Sequence, residues 1–395
     1  MWKASLVKAL VHSALFLLVF ITPRCVAQDQ TGYQLVRTLQ APRPGVEGWF
    51  GNSVAMDSHR VIVGEAFGDA GSTRRAGRAY VFTVDGDLLL SLQSPSPRKE
   101  GNFGGEEYCN KLVAISGDLC AVGETRAQGG GKAYLFTAEG SLAASLAPAE
   151  PLRGNNKEYG NSLAMSAGHL LVGSYNAGAY LYDYSGSLIA SLKAANGTTQ
   201  DGFGMATAIA EDAIVVSQDH ATVDGVRDAG MAYVYGGGGE LRKILRAPDP
   251  PQPALFGVST AAFGDLVVVG APEATFEGRP RAGLAYLFTT DGALMKVLHS
   301  PLPTLYFGVS VAVDGERIVV GASGTKVDGQ NGAGQAFVFD RDGSYQSTLQ
   351  SPNALAGSNF GWSVAAEGGT IAVSAPGEEV DRKSAAGRVY LFTSK

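Results

Sequence analysis

Short β-branched runs ending in a tiny residue recur along the chain: Val61-Ile62-Val63-Gly64, Leu170-Leu171-Val172-Gly173, Val267-Val268-Val269-Gly270 and Ile318-Val319-Val320-Gly321. Ile214-Val215-Val216-Ser217 and Ile371-Ala372-Val373-Ser374 repeat the pattern with serine. Upstream of each stands an aromatic–glycine pair, beginning at Phe50, Phe103, Tyr159, Phe203, Phe256, Phe307 and Phe360. The aromatic and the tiny residue are 14 apart in six of the seven copies, too regular for chance. Sixteen residues further on, in five copies, comes an aromatic within an alternating run: Tyr80, Tyr233, Tyr286, Phe337 and Tyr390. Tyr134 and Tyr180 fill that slot after shorter loops. Each unit then turns through a glycine pair, such as Asp85-Gly86, Asp291-Gly292 or Asp342-Gly343, into a run ending in leucine. Asp-Gly between apolar runs is a hairpin signal, because a type I′ turn needs positive φ at both centres. No 3.6-residue period is sustained, so the unit reads as four short antiparallel strands, A to D, without helices.

A four-stranded unit repeated about every 50 residues is the signature of propeller blades. A β-solenoid is the rival, and it would need atypical capping units at its ends. The chain stops at Lys395, five residues past Tyr390, so the seventh unit lacks its fourth strand. That strand is found at the other end: Leu35-Val36-Arg37-Thr38-Leu39-Gln40-Ala41-Pro42 matches Ser347-Thr348-Leu349-Gln350-Ser351-Pro352. Leu39 precedes Phe50 by 11 residues, as Leu349 precedes Phe360. The expectation is an all-β, seven-bladed propeller of four-stranded antiparallel blades, with the N-terminal strand completing the last blade and leaving no open edge.

Composition refines this picture in three places. The 53 glycines come without a Gly-X-Y period, which excludes collagen and fits a turn-rich chain. A formal charge of −6 gives no footing for nucleic acid. Met1–Lys8 carry two lysines, Ala9–Ile21 form an apolar run, and Cys25-Val26-Ala27 ends in a small residue. That is the grammar of a cleaved secretory signal over residues 1–27, with 28–395 as the propeller. The 13-residue run is short against the roughly 20 needed to span a bilayer. Cleavage would remove Lys3, Lys8 and Arg24 and no acid, taking the net charge from −6 to −9. The mature chain is expected to be secreted or held at a cell surface (periplasmic or extracellular in a bacterium), monomeric, and without membrane insertion.

Two cysteines, Cys109 and Cys120, remain after cleavage. Pairing across a Ser116-Gly117 turn would set Cys120 opposite Val113, leaving Cys109 about 13 Å further along the strand. A disulfide would require a bulged blade, and buried free thiols are expected. Blade 2 is irregular in any case. An insertion of about six residues around Gly105–Tyr108 reconciles its two rulers.

Phe-Gly followed by Gly270-Ala271-Pro272 or Ser374-Ala375-Pro376 resembles the FG-GAP repeat of integrin α-chain propellers, over the whole mature chain. The resemblance implies a role in adhesion or protein binding. Calcium-binding copies in that family carry an Asp-X-Asp-X-Asp-Gly loop between strands A and B. Here that connection is a clipped turn, for example Asp57-Ser58-His59 or Gly264-Asp265. No turn offers the six or more oxygens calcium takes, so neither metal nor cofactor is expected.

The D–A and B–C connections emerge on one face, the A–B and C–D turns on the other. Long segments populate the first: Ala66–Arg75, Gln218–Asp228, Pro272–Arg281, Ser323–Asn331 and Pro376–Lys383. Binding residues gather on such loops, and arginine and aromatics dominate interaction hot spots. The candidates are Trp49, Phe67, Arg74, Arg75, His220, Arg227, Phe276, Arg279, Arg281, Lys326 and Arg382. Asn196-Gly197-Thr198 is a single glycosylation sequon on a D–A loop. His220, near Asp219, Asp224 and Asp228, has the composition of a metal ligand or base, and equally of a polar loop. No Gly-X-Ser-X-Gly elbow occurs, and no catalytic residue is assigned. The expected function is a binding or adhesion module for an extracellular protein or glycan. The alternative is a polysaccharide lyase or hydrolase acting at the mouth of the central channel, which requires acid and base groups there.

Overall fold

The computed structural model describes residues 32–106, 111–148, 158–166, 168–195, 201–248 and 253–395. The leader expected over 1–27, Cys109 and Asn196 lie outside the described residues. Blade 1 is built from β2 (Phe50–Met56), β3 (Arg60–Glu65), β4 (Arg78–Thr83) and β5 (Leu88–Leu92). Blades 2 to 6 follow as β6–β9 (113–146), β10–β13 (158–192), β14–β17 (203–245), β18–β21 (259–298) and β22–β25 (307–349). Blade 7 comprises β26 (Val364–Glu367), β27 (Thr370–Ala375) and β28 (Arg388–Ser394), completed by β1 (Tyr33–Leu39) in the order β1-β28-β27-β26. Tyr33 pairs with Ser394 and Leu39 with Val389, so the N-terminal strand closes the ring.

The Phe-Gly and Ala-Gly motifs turn out to be two halves of one joint. The aromatic at the start of strand A is fully buried in all seven blades. Its backbone N–H donates to the alanine carbonyl of the preceding blade's Ala-Gly: Phe103 to Ala76, Phe256 to Ala229, Phe307 to Ala282, Phe360 to Ala333 and Phe50 to Ala386. The glycine after the aromatic sits at positive φ, as at Gly51 (+90°) and Gly308 (+92°). That swing brings its carbonyl onto the tiny residue ending strand B one blade back. A Cβ on Gly270 would lie 2.0 Å from the Gly308 oxygen, so the residue 14 positions after the aromatic must be small to admit the next blade's glycine. A bulge follows in strand A, between Phe50 and Ser53 or Phe307 and Ser310.

Apolar cores therefore sit between neighbouring blades. One joins Val215, Val234 and Phe256 to Val267 and Val269, and another closes the ring through Leu39, Phe50, Val63, Ala372 and Leu391. Within each blade the strand-A aromatic packs on the strand-C aromatics, Phe50 lying 5.8 Å from Tyr80 and 6.0 Å, edge-on, from Phe82. Hydroxyls stitch the inner strands across the joints: Ser259 donates to the Gly308 carbonyl and Ser310 to that of Gly361, both buried.

Blade 2 follows the same joint. Phe103 bridges Glu124 and is fully buried, so the extra residues fall between Gly104 and Val113. The expected turn is corrected by one residue: Ser116 pairs with Leu119, which sets Cys120 opposite Ile115 rather than Val113. Gly117 and Asp118 form the turn because Gly117 takes positive φ (+57°). Cys120 is a buried free thiol, and burial pushes it up to about 12.

Candidate binding face

The A–B connections are tight and self-clasped. Asp57 accepts from the backbone N–H groups of His59 and Arg60 and pairs with the Arg60 guanidinium at 2.8 Å. Asp314 and Arg317 repeat the clasp in blade 6 at 2.7 Å. The opposite face differs. In five blades the B–C connection folds into a miniature hairpin closed by a bridge: Ala70 with Thr73, Val223 with Val226, Phe276 with Arg279, Val327 with Gln330, and Val380 with Lys383. Both centres of four of these turns lie at positive φ, as at Asp224 (+50°) and Gly225 (+81°). In blade 7 the second centre is Arg382, at +63° where three others have glycine. Each connection is sealed at its base, for instance by Gly230 N–H to Ala221 O and Gly283 N–H to Ala274 O, both at 3.0 Å. These connections are therefore rigid caps. Blades 2 and 3 carry shorter connections, between Glu124 and Lys132 and between Tyr175 and Gly178.

The sequence candidates converge only at blade 1. Trp49 meets Phe67 edge-on with ring centroids 5.5 Å apart. The Arg75 guanidinium lies 4.3 Å over the Phe67 ring, and its Nη1 is 3.3 Å from Glu47 Oε2. Asp69 accepts from the Arg75 backbone N–H, which closes the cap on itself, and the Phe67 N–H donates to the Gly48 carbonyl at 3.1 Å, which ties the cap to the D–A loop. Arg74 is exposed beside them. Elsewhere the candidates meet residues outside the candidate set, Arg281 reaching Tyr306 Oη on the next D–A loop at 3.4 Å. Phe276 stacks on His299 with centroids 4.6 Å apart, Arg279 pairs with Glu277, and Arg281 pairs with Glu273. Arg227, Lys326 and Arg382 are exposed at cap tips.

His220 is bracketed by two carboxylates, Asp228 at 2.9 Å from Nδ1 and Asp219 at 3.7 Å from Nε2. Burial alone would lower the imidazole, but Asp219 and Asp228 outweigh it and hold it above its usual value. Burial pushes Asp219 up to about 6 against the opposing pull of His220. Asp224 turns away to Arg246, at 3.5 Å. Among the described residues no group of three or more ligating side chains has the geometry to hold a metal.

Sequence reasoning missed a buried carboxylate beneath the caps. Glu65, 1% exposed, follows the tiny residue of strand B and accepts from Tyr80 Oη at 2.8 Å. Its other oxygen has no hydrogen-bond partner. Burial pushes the group up to about 7, against the Tyr80 hydrogen bond and the Arg78 charge. Glu124 repeats the arrangement with Tyr134 at 2.8 Å, and Gln218 with Tyr233 at 2.7 Å. Glu378 reaches Tyr390 from three residues further along, with Arg388 at 3.1 Å. The signal was present in Gly64-Glu65, Gly123-Glu124 and Ser217-Gln218, a polar residue at the end of an apolar run. Glu65 floors a cavity of 480 Å³ walled by the Arg43–Glu47 stretch of the D–A loop and by Phe67, Arg74, Arg75 and Arg78.

A smaller cavity of 170 Å³ lies on the ring axis, lined by inner-strand residues such as Val54, Ala114, Leu163, Ile209 and Val313. Lys111 is the ionisable residue among its lining. Its ammonium donates to the Thr260 carbonyl of blade 5, and burial pushes it down to about 8.

With this geometry in place, the comparison with known families is direct. The FG-GAP repeat model matches residues 39–82, 304–339 and 344–392, which are the units of blades 1, 6 and 7. Blades 2 and 5 repeat the same backbone joint, and blades 3 and 4 bury the same aromatic with a different bond, Tyr159 N–H donating to Gly130 O and Phe203 O accepting from Asn176 N–H. No curated protein matches the chain.

Proposed function

We propose that this chain, an FG-GAP repeat β-propeller, is a secreted or cell-surface binding module that engages an extracellular protein or glycan through its D–A/B–C face. The observation that carries this reading is the contrast between the two faces. One is closed by short turns, two of them clasped by the Asp57–Arg60 and Asp314–Arg317 pairs, and the other presents five hairpin caps bearing aromatic and arginine side chains. Rigid caps lose little entropy on binding, so contact energy goes into affinity. Adhesion is the role that FG-GAP propellers suggest for such a face, and fold alone does not set the partner.

The test is capture from native extracellular and surface extract, using the chain with and without charge reversal at Arg74, Arg279 and Arg382. Capture lost in the reversed protein, with an unchanged melting temperature, supports the reading. Capture retained, or no partner for either form, overturns it. In that case turnover of polysaccharides would be assayed instead.

A further inference from the structure

The cavity at the joint of blades 7 and 1 combines three features. Arg43 and Arg74 line it, and neither forms an ion pair among the described residues, whereas Arg75 is already taken by Glu47. The floor is the buried Glu65 carboxylate, one oxygen of which lacks a donor. A buried acceptor left unpaired is costly unless something supplies the missing proton donor. Phe67, with Trp49 behind it, gives the apolar wall. Gly48 and Gly68 leave the room the carboxylate fills, since a Cβ on either would lie 2.7 Å and 2.3 Å from its oxygens.

Resting on the binding reading above, we propose that this cavity is a subsite for one carboxylated sugar, a hexuronate unit of an acidic glycan. Its carboxylate is held by Arg43 and Arg74, a ring hydroxyl donates to the free oxygen of Glu65, and its apolar edge lies along Phe67. The cavity's 480 Å³ falls in the range of ligand pockets, which runs from roughly 300 to 1,000 Å³. The alternatives fit less of it. An inorganic anion would satisfy the arginines but bring no ring to lie along Phe67, while a neutral sugar would leave two guanidinium groups without a counter-charge. An aspartate or glutamate side chain brings the carboxylate but no hydroxyl beside it. Guanidinium–carboxylate pairing supplies both energy and orientation.

The probes are di- and trisaccharides of galacturonate, glucuronate and mannuronate, their methyl esters, and poly-glutamate, titrated against the full chain by calorimetry. At least one hexuronate is expected to bind, and its methyl ester, which keeps the hydroxyls and loses the charge, at least about tenfold more weakly. Arg43→Ala and Arg74→Ala are each expected to weaken binding by about tenfold or more. Glu65→Gln copies the Gln218–Tyr233 pairing of blade 4, so it keeps the fold while weakening binding several-fold. Arg242→Glu, on the opposite face, is expected to change nothing. Absence of binding by every hexuronate, equal binding of the ester, or indifference to Arg43→Ala and Arg74→Ala overturns the assignment. Poly-glutamate binding as tightly also overturns it, in favour of an acidic protein segment. Extract capture that survives Arg74→Glu but is lost with Arg279→Glu would leave the binding face standing and remove only this subsite.

Discussion

Blades 4 and 3 each receive the fully buried aromatic of the next blade and differ in what sits above it. In blade 4 twelve residues between Gln218 and Met231 build a sealed hairpin cap, with Ala221 and Val223 buried beneath it. In blade 3 the strands are linked through Asn176 and Ala177 alone. Yet Tyr159 and Phe203 are equally buried, and a backbone N–H reaches the joint in both, from Asn176 to Phe203 O in one and from Phe256 to Ala229 O in the other. The ring is thus held by small residues and one aromatic per blade, while the caps are additions that vary without disturbing it. Stability belongs to the joint and recognition to the cap.

The largest test of that division is Phe256→Ala, which empties a joint and is expected to cost about 3–5 kcal/mol in denaturant unfolding. A loss near that of an exposed phenylalanine would sink the idea. A sharper comparison uses two glycines of one cap that share φ +81°. A Cβ on Gly230 would lie 2.0 Å from the Phe256 oxygen, and one on Gly225 meets nothing within 4 Å. Gly230→Ala is expected to cost about 3 kcal/mol or more, Gly225→Ala about 1 kcal/mol. Equal losses would mean that backbone strain alone, and not the joint, decides.

A smaller effect concerns Glu65, where joint and cap meet. Burial, opposed by Tyr80 and Arg78, raises its folded-state value from 4.5 to about 7. Its contribution to stability is therefore complete below pH 4.5 and is lost as the pH rises through about 7. Glu65→Gln should lack that dependence and melt higher relative to wild type at pH 8 than at pH 5. A difference of opposite sign would show that Glu65 is held as the anion. Smallest of all, Arg227→Ala and Lys326→Ala at cap tips should shift stability by no more than about 0.5 kcal/mol. Any defect they cause would be seen in partner capture alone.

The ring itself was legible in the sequence, because the joint imposes the same demands seven times. A buried aromatic, a glycine at positive φ and, 14 positions on in six of seven blades, a glycine or serine pressed against the next blade stand out against variable surroundings. The closure was legible for the same reason, since β1 carries the spacing of a strand D. The candidate site was only half visible. Trp49, Phe67 and Arg75 come together as residues of one face, but Glu65 is set by contacts between two loops distant in sequence, and only some copies carry an acid there. The caps read as loops because their hairpins are only four residues long, although Val223-Asp224-Gly225-Val226 and Val327-Asp328-Gly329-Gln330 carry the turn chemistry. In blade 2 Ser116-Gly117 and Gly117-Asp118 are equally good turn pairs by composition, and the one-residue slip between them moves every cross-strand pair.

The pairing of β1 with β28 also governs the order in which the ring can be assembled. As the chain is synthesised, the strand that emerges first has no partner until the last strand of the ring follows it, more than 350 residues later. Until then the growing arc exposes the unpaired edge of β28's future sheet and the bare inner face of blade 1. Closure is a single late event that converts an open arc into an edgeless ring. A Lys395 N–H bonded to the Gly32 carbonyl at 2.9 Å marks where the two ends of that ring meet. Folding of the ring is then coupled to the arrival of β28: a nascent ring broken off before that strand is left with sticky strands at both ends.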